Sequence, residues 1–217
     1  MPLFTLGLTS AAVAALATGL HIRAEYRGPR WQVYICKPLA TTALLVLAVP
    51  SLSVHGPRYQ LLIILGLAFS LMGDILLMLP RDRFLPGLVS FLFAHIVYSV
   101  AFTSGIPLGT APWLLLPLLA ATAPLLRLLW PGLGRLRVPV LIYSAAIIFM
   151  VWSAWGRGWH LQTLGTALAA GGATLFMISD ALLALNRFQR PFHSAQALIM
   201  TSYVAAQATF ALSVGLI

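Results

Sequence analysis

The sequence predicts an all-α fold, a polytopic membrane helix bundle of about eight transmembrane helices, forming one integral membrane domain over 1–217. Three observations predict it. Of 217 residues, 60% are hydrophobic and only 8% charged, with mean hydropathy +0.95. An ordinary soluble domain is about a quarter charged, so this chain cannot cover itself with a water-facing surface. Pro and Gly punctuate the apolar chain at intervals that suit membrane spans. The length holds about eight spans of about 20 residues with short loops, and leaves no room for a separate soluble domain.

Helices are expected at roughly 3–20, 33–50, 59–79, 84–104, 112–130, 138–155, 161–185 and 193–216. The joints fall at Gly28-Pro29, Gly56-Pro57, Pro80, Gly105 to Pro107, Pro131-Gly132, Gly156 and Pro191. The start, MPLFTLGLTS, lacks the Lys or Arg of a cleavable signal peptide, so the first span is expected to stay. Orientation follows from the thirteen Lys and Arg. Eleven fall in or beside the odd-numbered connections: Arg23, Arg27, Arg30, Lys37, Arg81, Arg83, Arg127, Arg135, Arg137, Arg187 and Arg190. Only Arg58 and Arg157 fall in the even-numbered ones. This split predicts odd loops in the cytoplasm and both termini outside, in the cell (inner) membrane. The net charge of +9 is thus an orientation signal for anionic lipid rather than a nucleic-acid footprint. The six tryptophans, near predicted span ends, suit an aromatic belt.

Two of the four acids stand where a membrane span should be apolar. Glu25 and Asp82 read as solvated loop charges among arginines. Asp74, in SLMGDILLMLP, and Asp180, in LFMISDALLALN, each precede a helix-ending Pro80 or Asn186 by six residues. That puts each about 9 Å inside its helix end, where an unpaired acid costs about 2.5–3.5 kcal/mol at a span centre and less toward the end. Spans 3 and 7 run in the same direction, so both carboxyls belong in the cytoplasmic half. Should the two helices be neighbours, the carboxyls share one site and cannot both ionise easily, leaving one proton donor and one anion. The alternative is that each aspartate bridges helices through hydrogen bonds.

A shift of 106 residues overlays Gly66 on Gly172, Asp74 on Asp180 and Arg81 on Arg187, which suggests two parallel four-helix halves. Other polar residues inside spans are His95, Tyr98, Ser99, Tyr143, Gln196, Tyr203 and Gln207. Each serves equally as interhelical glue. Lys37 either snorkels or bends inward as the cation for a lipid phosphate or an ionised aspartate. Cys36 is the sole cysteine, so no internal disulfide or cysteine cluster can form. Of His21, His55, His95, His160 and His193, only His95 is expected to be buried, and no zinc site is expected. HExxH, GxSxG and Gly-rich phosphate loops are missing, so no metal and no cofactor is expected.

KPL at 37–39, MGDILLML at 72–79, GLVSFLFAHIVY at 87–98, Tyr143, LFMISDALLALNRF at 175–188 and YVAAQ at 203–207 closely resemble the YhhN family of bacterial and animal membrane proteins. The resemblance implies an eight-span hydrolase of the vinyl ether bond of lysoplasmalogens, as in its animal members. It implies Asp74 and Asp180 as catalytic residues, and Lys37, His95, Tyr98, Tyr143, Tyr203 and Gln207 around a lysophospholipid substrate. Membrane lipids are the expected surroundings, nucleic acid is not a partner, and no protein partner is indicated. The rival readings are a proton-coupled transporter or carrier of a lipid or small amphiphile, in which the aspartates couple protons, and a structural scaffold.

Overall fold

The computed structural model describes residues 2–49, 56–80 and 82–215, with side chains from Thr5 onward. His55, Arg81 and the expected helix ends at 50 and 216 lie outside the described residues. Eight α-helices follow one another: α1 (Pro2–Arg27), α2 (Arg30–Ala48), α3 (Pro57–Met78), α4 (Phe84–Thr103), α5 (Leu115–Leu129), α6 (Arg137–Leu161), α7 (Leu164–Phe188) and α8 (Ala195–Ser213). Short 3₁₀ turns flank α5. The helix ends follow local chemistry. Pro57 opens α3 at a position whose N–H needs no partner. Thr163 and Thr166 form a reciprocal capping box at the start of α7. Gln162 closes α6 in the left-handed region at φ 52°.

Among the described residues seven helical segments are long and apolar enough to cross a membrane, α1 to α4, α6, α7 and α5 together with its flanking 3₁₀ turns. The eighth falls short because it carries Gln196, Thr201, Ser202, Tyr203, Gln207 and Thr209. Its polar stripe turns inward, with Tyr203 and Gln207 buried. The bundle keeps its buried polar groups inside a largely apolar core and turns apolar side chains outward. Thr41, Ser70, Asp74, His95 and Gln207 are buried, while Leu16, Leu61, Leu116, Ile142 and Leu198 face outward. This is the arrangement lipid demands, and the chain is a multi-pass membrane protein.

Six helices form a ring by pairwise packing: α2 on α3, α3 on α4, α4 on α6, α6 on α7, α7 on α8, and α8 back on α2. The other two lie outside it, α1 against α2 and α8, and α5 against α6 and α7. Exchanging α1–α4 with α5–α8 maps most of these contacts onto each other, as the 106-residue shift suggests. Gly66 and Gly172, matched by that shift, do the same work. A Cβ on Gly66 would stand 2.2 Å from the Tyr98 ring, and one on Gly172 would stand 2.2 Å from Thr209 Oγ1 and 2.9 Å from Phe210. Each glycine admits the following helix at close range.

The basic loops gather at one end. Asp82 accepts a 2.6 Å bond from Arg187, Tyr26 donates to the His193 carbonyl at 2.7 Å, and Gln189 donates to the Leu128 carbonyl. Trp31, Trp130, Trp155 and Trp159 are exposed near helix ends, and Trp113 packs on Trp159, as an aromatic belt requires.

Three expectations need correction. Helix α6 continues past 155 to Leu161, so Arg157 is not a loop charge. It is buried, lies over the Tyr59 ring and donates to the Ser104 carbonyl. Helix α1 continues to Arg27, which keeps His21 inside the bundle at 1% exposure, so His95 is not the only buried histidine. Glu25 is on that same helix, 3.8 Å from His21, rather than in a loop.

Candidate functional site

Both aspartates line one cavity of about 600 Å³ that opens at the basic end, between loop residues Pro80, Asp82 and Arg83 and the buried Phe91 and Tyr203. The longer α7 changes their depths. Asp74 stands four residues before Met78 and Asp180 eight before Phe188, about 6 and about 12 Å from their helix ends.

Their surroundings differ more than their depths. Asp74 is buried at 1% exposure. Its Oδ2 accepts from Thr41 Oγ1 and from Tyr203 OH, each at 2.7 Å, and its Oδ1 lies 3.5 Å from Lys37 Nζ. Lys37 therefore bends inward rather than snorkelling, beside Pro38, which interrupts the hydrogen-bond ladder of α2. Two hydroxyl donors and an ammonium are what a buried carboxylate needs to stay anionic. Asp180 Oδ2 accepts from Tyr143 OH at 2.6 Å and lies 3.5 Å from His95 Nε2. Among the described residues no Lys or Arg comes within 4 Å of Asp180, and no hydrogen bond joins the two carboxyls. The pair is two carboxyls on one cavity with separate partners, not a dyad sharing a hydrogen bond.

One pair of partners obeys the internal symmetry. Lys37 and Tyr143, each from the helix preceding its aspartate, are 106 residues apart. The other partner crosses between halves: Tyr203 of α8 reaches Asp74 of α3, and His95 of α4 reaches Asp180 of α7. The same relative position thus carries a cation at one aspartate and a phenol at the other.

Lys37, Asp74, Asp180 and Tyr203 line the cavity, and Tyr143 approaches Asp180 from the far side of α7. His95 is wedged edge-on between Tyr143 and Phe176, at ring separations of 4.9 and 4.7 Å, and neither of its ring nitrogens has a hydrogen bond. Tyr98 and Gln207 touch neither aspartate. Tyr98 OH donates to Gln207 Oε1 at 2.7 Å, one layer deeper. There Tyr98, Phe102, Phe176 and Phe210, all fully buried, stack into an aromatic plug. Thr41 escaped the sequence reading, although its place four residues after Lys37 puts both on one helix face. Among the described residues no three His, Cys, Asp or Glu side chains group to hold a metal.

The sequence model of the YhhN family matches residues 32–214, a span that contains every one of these side chains. The chain belongs to the YhhN family. The membrane protein YhhN of Escherichia coli O157:H7 is 34% identical over 199 residues, covering 91% of this chain and 94% of that protein. Lysoplasmalogenase TMEM86A of Bos taurus is 36% identical over 192 residues, 82% of this chain and 75% of that protein. Lysoplasmalogenase TMEM86B of Sus scrofa is 33% identical over 179 residues, 82% and 73% of the two chains. No solved structure matches.

Proposed function

We propose that this YhhN protein is a hydrolase that cleaves the vinyl ether of a lysoplasmalogen, releasing a fatty aldehyde and a glycerophospho-base. The observation that carries the reading is the pair of aspartates with opposite surroundings on one cavity, in a chain 36% identical to a protein named lysoplasmalogenase.

A vinyl ether hydrolyses when its β-carbon accepts a proton, which makes an oxocarbenium ion. Water then adds to the carbon bearing oxygen, and the hemiacetal collapses to aldehyde and alcohol. The catalyst must hold one acid and one anion close together. Asp180 suits the acid. Tyr143 occupies only its Oδ2, and no neighbouring ammonium drives off its proton. Asp74, locked by Lys37, Thr41 and Tyr203, suits the anion that stabilises the oxocarbenium ion. Water loses its proton to the Asp180 carboxylate as it adds, which restores the acid. The hydroxyl proton of the hemiacetal passes to the departing glycerol oxygen. Among the described residues Lys37, Arg83 and Arg187 on the cavity wall are cations available to a phosphate head group.

The orientation given by the basic loops opens the site to the cytoplasm. A carrier of amphiphiles would use the same aspartates, but the aromatic plug beneath them fills the bundle toward the other face, which favours an enzyme. Purified protein in detergent should release aldehyde from a lysoplasmalogen. Asp74→Asn and Asp180→Asn should each lower that rate by about 10²–10⁴-fold with folding intact. Near wild-type turnover in either variant overturns the assignment. Transport in sealed vesicles without turnover in detergent makes it a carrier.

A further inference from the structure

A second cavity of about 220 Å³ lies on the other flank of α7, lined by α4, α5, α6 and α7. Its wall is mostly hydrocarbon, with Leu88, Leu126, Val140, Ile147, Met177 and Ile178 among the lining. Few polar groups reach it. One, the Tyr143 hydroxyl, is already committed to Asp180. Along α7 the lining runs from Phe188 to Met177, a length of about 16 Å. Phe84, Asp180 and Leu183 line both this slot and the polar cavity, so the two spaces adjoin across these three residues.

The slot exists because the molecule breaks its own symmetry. On the α1 flank, Ala14, Ala17 and Ala24 are buried, so small side chains bring α1 hard against α2 and α8. On the matching flank α5 buries only Leu129, and Thr122, Leu125 and Leu126 are left half-buried over empty space. Pro124 also removes a rung from the hydrogen-bond ladder of α5. The thinly packed helix therefore covers a groove where its counterpart fills one.

We propose that this slot holds the single hydrocarbon chain of the substrate while its head group occupies the polar cavity. The inference rests on the lysoplasmalogen reading above and deepens it. In a lysoplasmalogen the vinyl ether joins chain to head group, so a ligand with its chain in the slot and its phosphate among the cations places that bond at the junction, against Asp180. One slot takes one chain, so a two-chain phospholipid has no place for the second. Selectivity for lysolipids follows from the shape of the protein.

A saturated ether lysophospholipid with a diazirine at the end of its chain tests this without any turnover. Photolysis with the intact protein, followed by mapping of the adducts, should label the part of the slot farther from Asp180, at Leu126, Leu129, Val140 or Phe188, and excess unlabelled lysolipid should suppress the labelling. Adducts on outward-facing Phe93, Leu116 and Ile142, or adducts that excess lysolipid leaves unchanged, would overturn the slot. Narrowing it with Thr122→Phe should lower the long-chain to short-chain ratio of kcat/KM by about tenfold, and an unchanged ratio argues equally against it. The two readings fail separately. Slot labelling with aspartate variants that still turn over defeats the catalytic assignment alone, and inactive aspartate variants with labelling elsewhere defeat the slot alone.

Discussion

In the proposed mechanism Lys37 decides which aspartate keeps its charge. Among the described residues its ammonium, 3.5 Å from the buried Asp74, is the cation nearest to either aspartate, and removing one partner of such a pair leaves an uncompensated charge in a poor solvent. Lys37→Met, which keeps length and loses charge, should therefore lower kcat/KM by about tenfold or more while the protein still purifies as a folded species. Lys37→Arg should recover part of the loss, because the charge returns in a different shape. Steady-state kinetics on the three proteins decide it, and equal activity in the methionine variant would remove Lys37 from the site. At the surface the arithmetic differs. The Arg187 guanidinium bonded to Asp82 holds that carboxyl below the usual carboxylate range, helped by the Phe84 amide. A lowered folded value stabilises the protein above the ordinary Asp pKa of about 3.9, and the gain is lost as pH falls through the folded value. Both side chains are exposed, so the effect is small. Melting temperatures of wild type and Asp82→Asn should differ slightly at neutral pH and converge in acid.

At the scale of helices, glycine marks where two of them come closest. Gly66 faces the Tyr98 ring at a distance no Cβ can share, whereas a Cβ on Gly171 would meet nothing within 4 Å. Gly66→Ala should cost about 1–3 kcal/mol by overpacking, and Gly171→Ala should be neutral or stabilising by up to about 1 kcal/mol through helix propensity. Unfolding in detergent distinguishes the two, and equal effects would mean that Tyr98 yields freely. How much of this was legible in sequence depends on range. The helices and the inward stripe of α8 were readable because periodicity and Pro or Gly breaks are local signals. The aspartates were readable because a charge in a span is costly wherever the span packs. Thr41 could have been found from its spacing to Lys37. The burial of His21 and Arg157 was missed because they sit one and two residues beyond the expected helix ends, where only tertiary contacts extend the helix. The slot behind α5 had no signal at all. It is the space between four helices, and space is not encoded in any one of them.

The whole molecule has a polarity that the site inherits. Loops carrying Arg83, Arg135 and Arg190 meet at one end through the Asp82–Arg187, Tyr26–His193 and Gln189–Leu128 contacts, and the aspartate cavity opens there. At the other end, Arg157 is spent on the Ser104 carbonyl and the Tyr59 ring, so the charge imbalance between the two faces is steeper than a count of loop residues implies. Positive loops stay on the cytoplasmic side, which predicts that substrate reaches the site from the inner leaflet. Cysteine labelling measures this directly. The native Cys36 is buried, so a replacement of it by alanine gives a quiet background for single thiols. In intact cells, a thiol in place of Arg83 or Arg135 should resist an impermeant maleimide until the membrane is opened. One in place of Gly109, in the loop between α4 and α5, should react at once. The opposite pattern would turn the cavity outward, and a lysolipid in the outer leaflet would then be the form the enzyme meets.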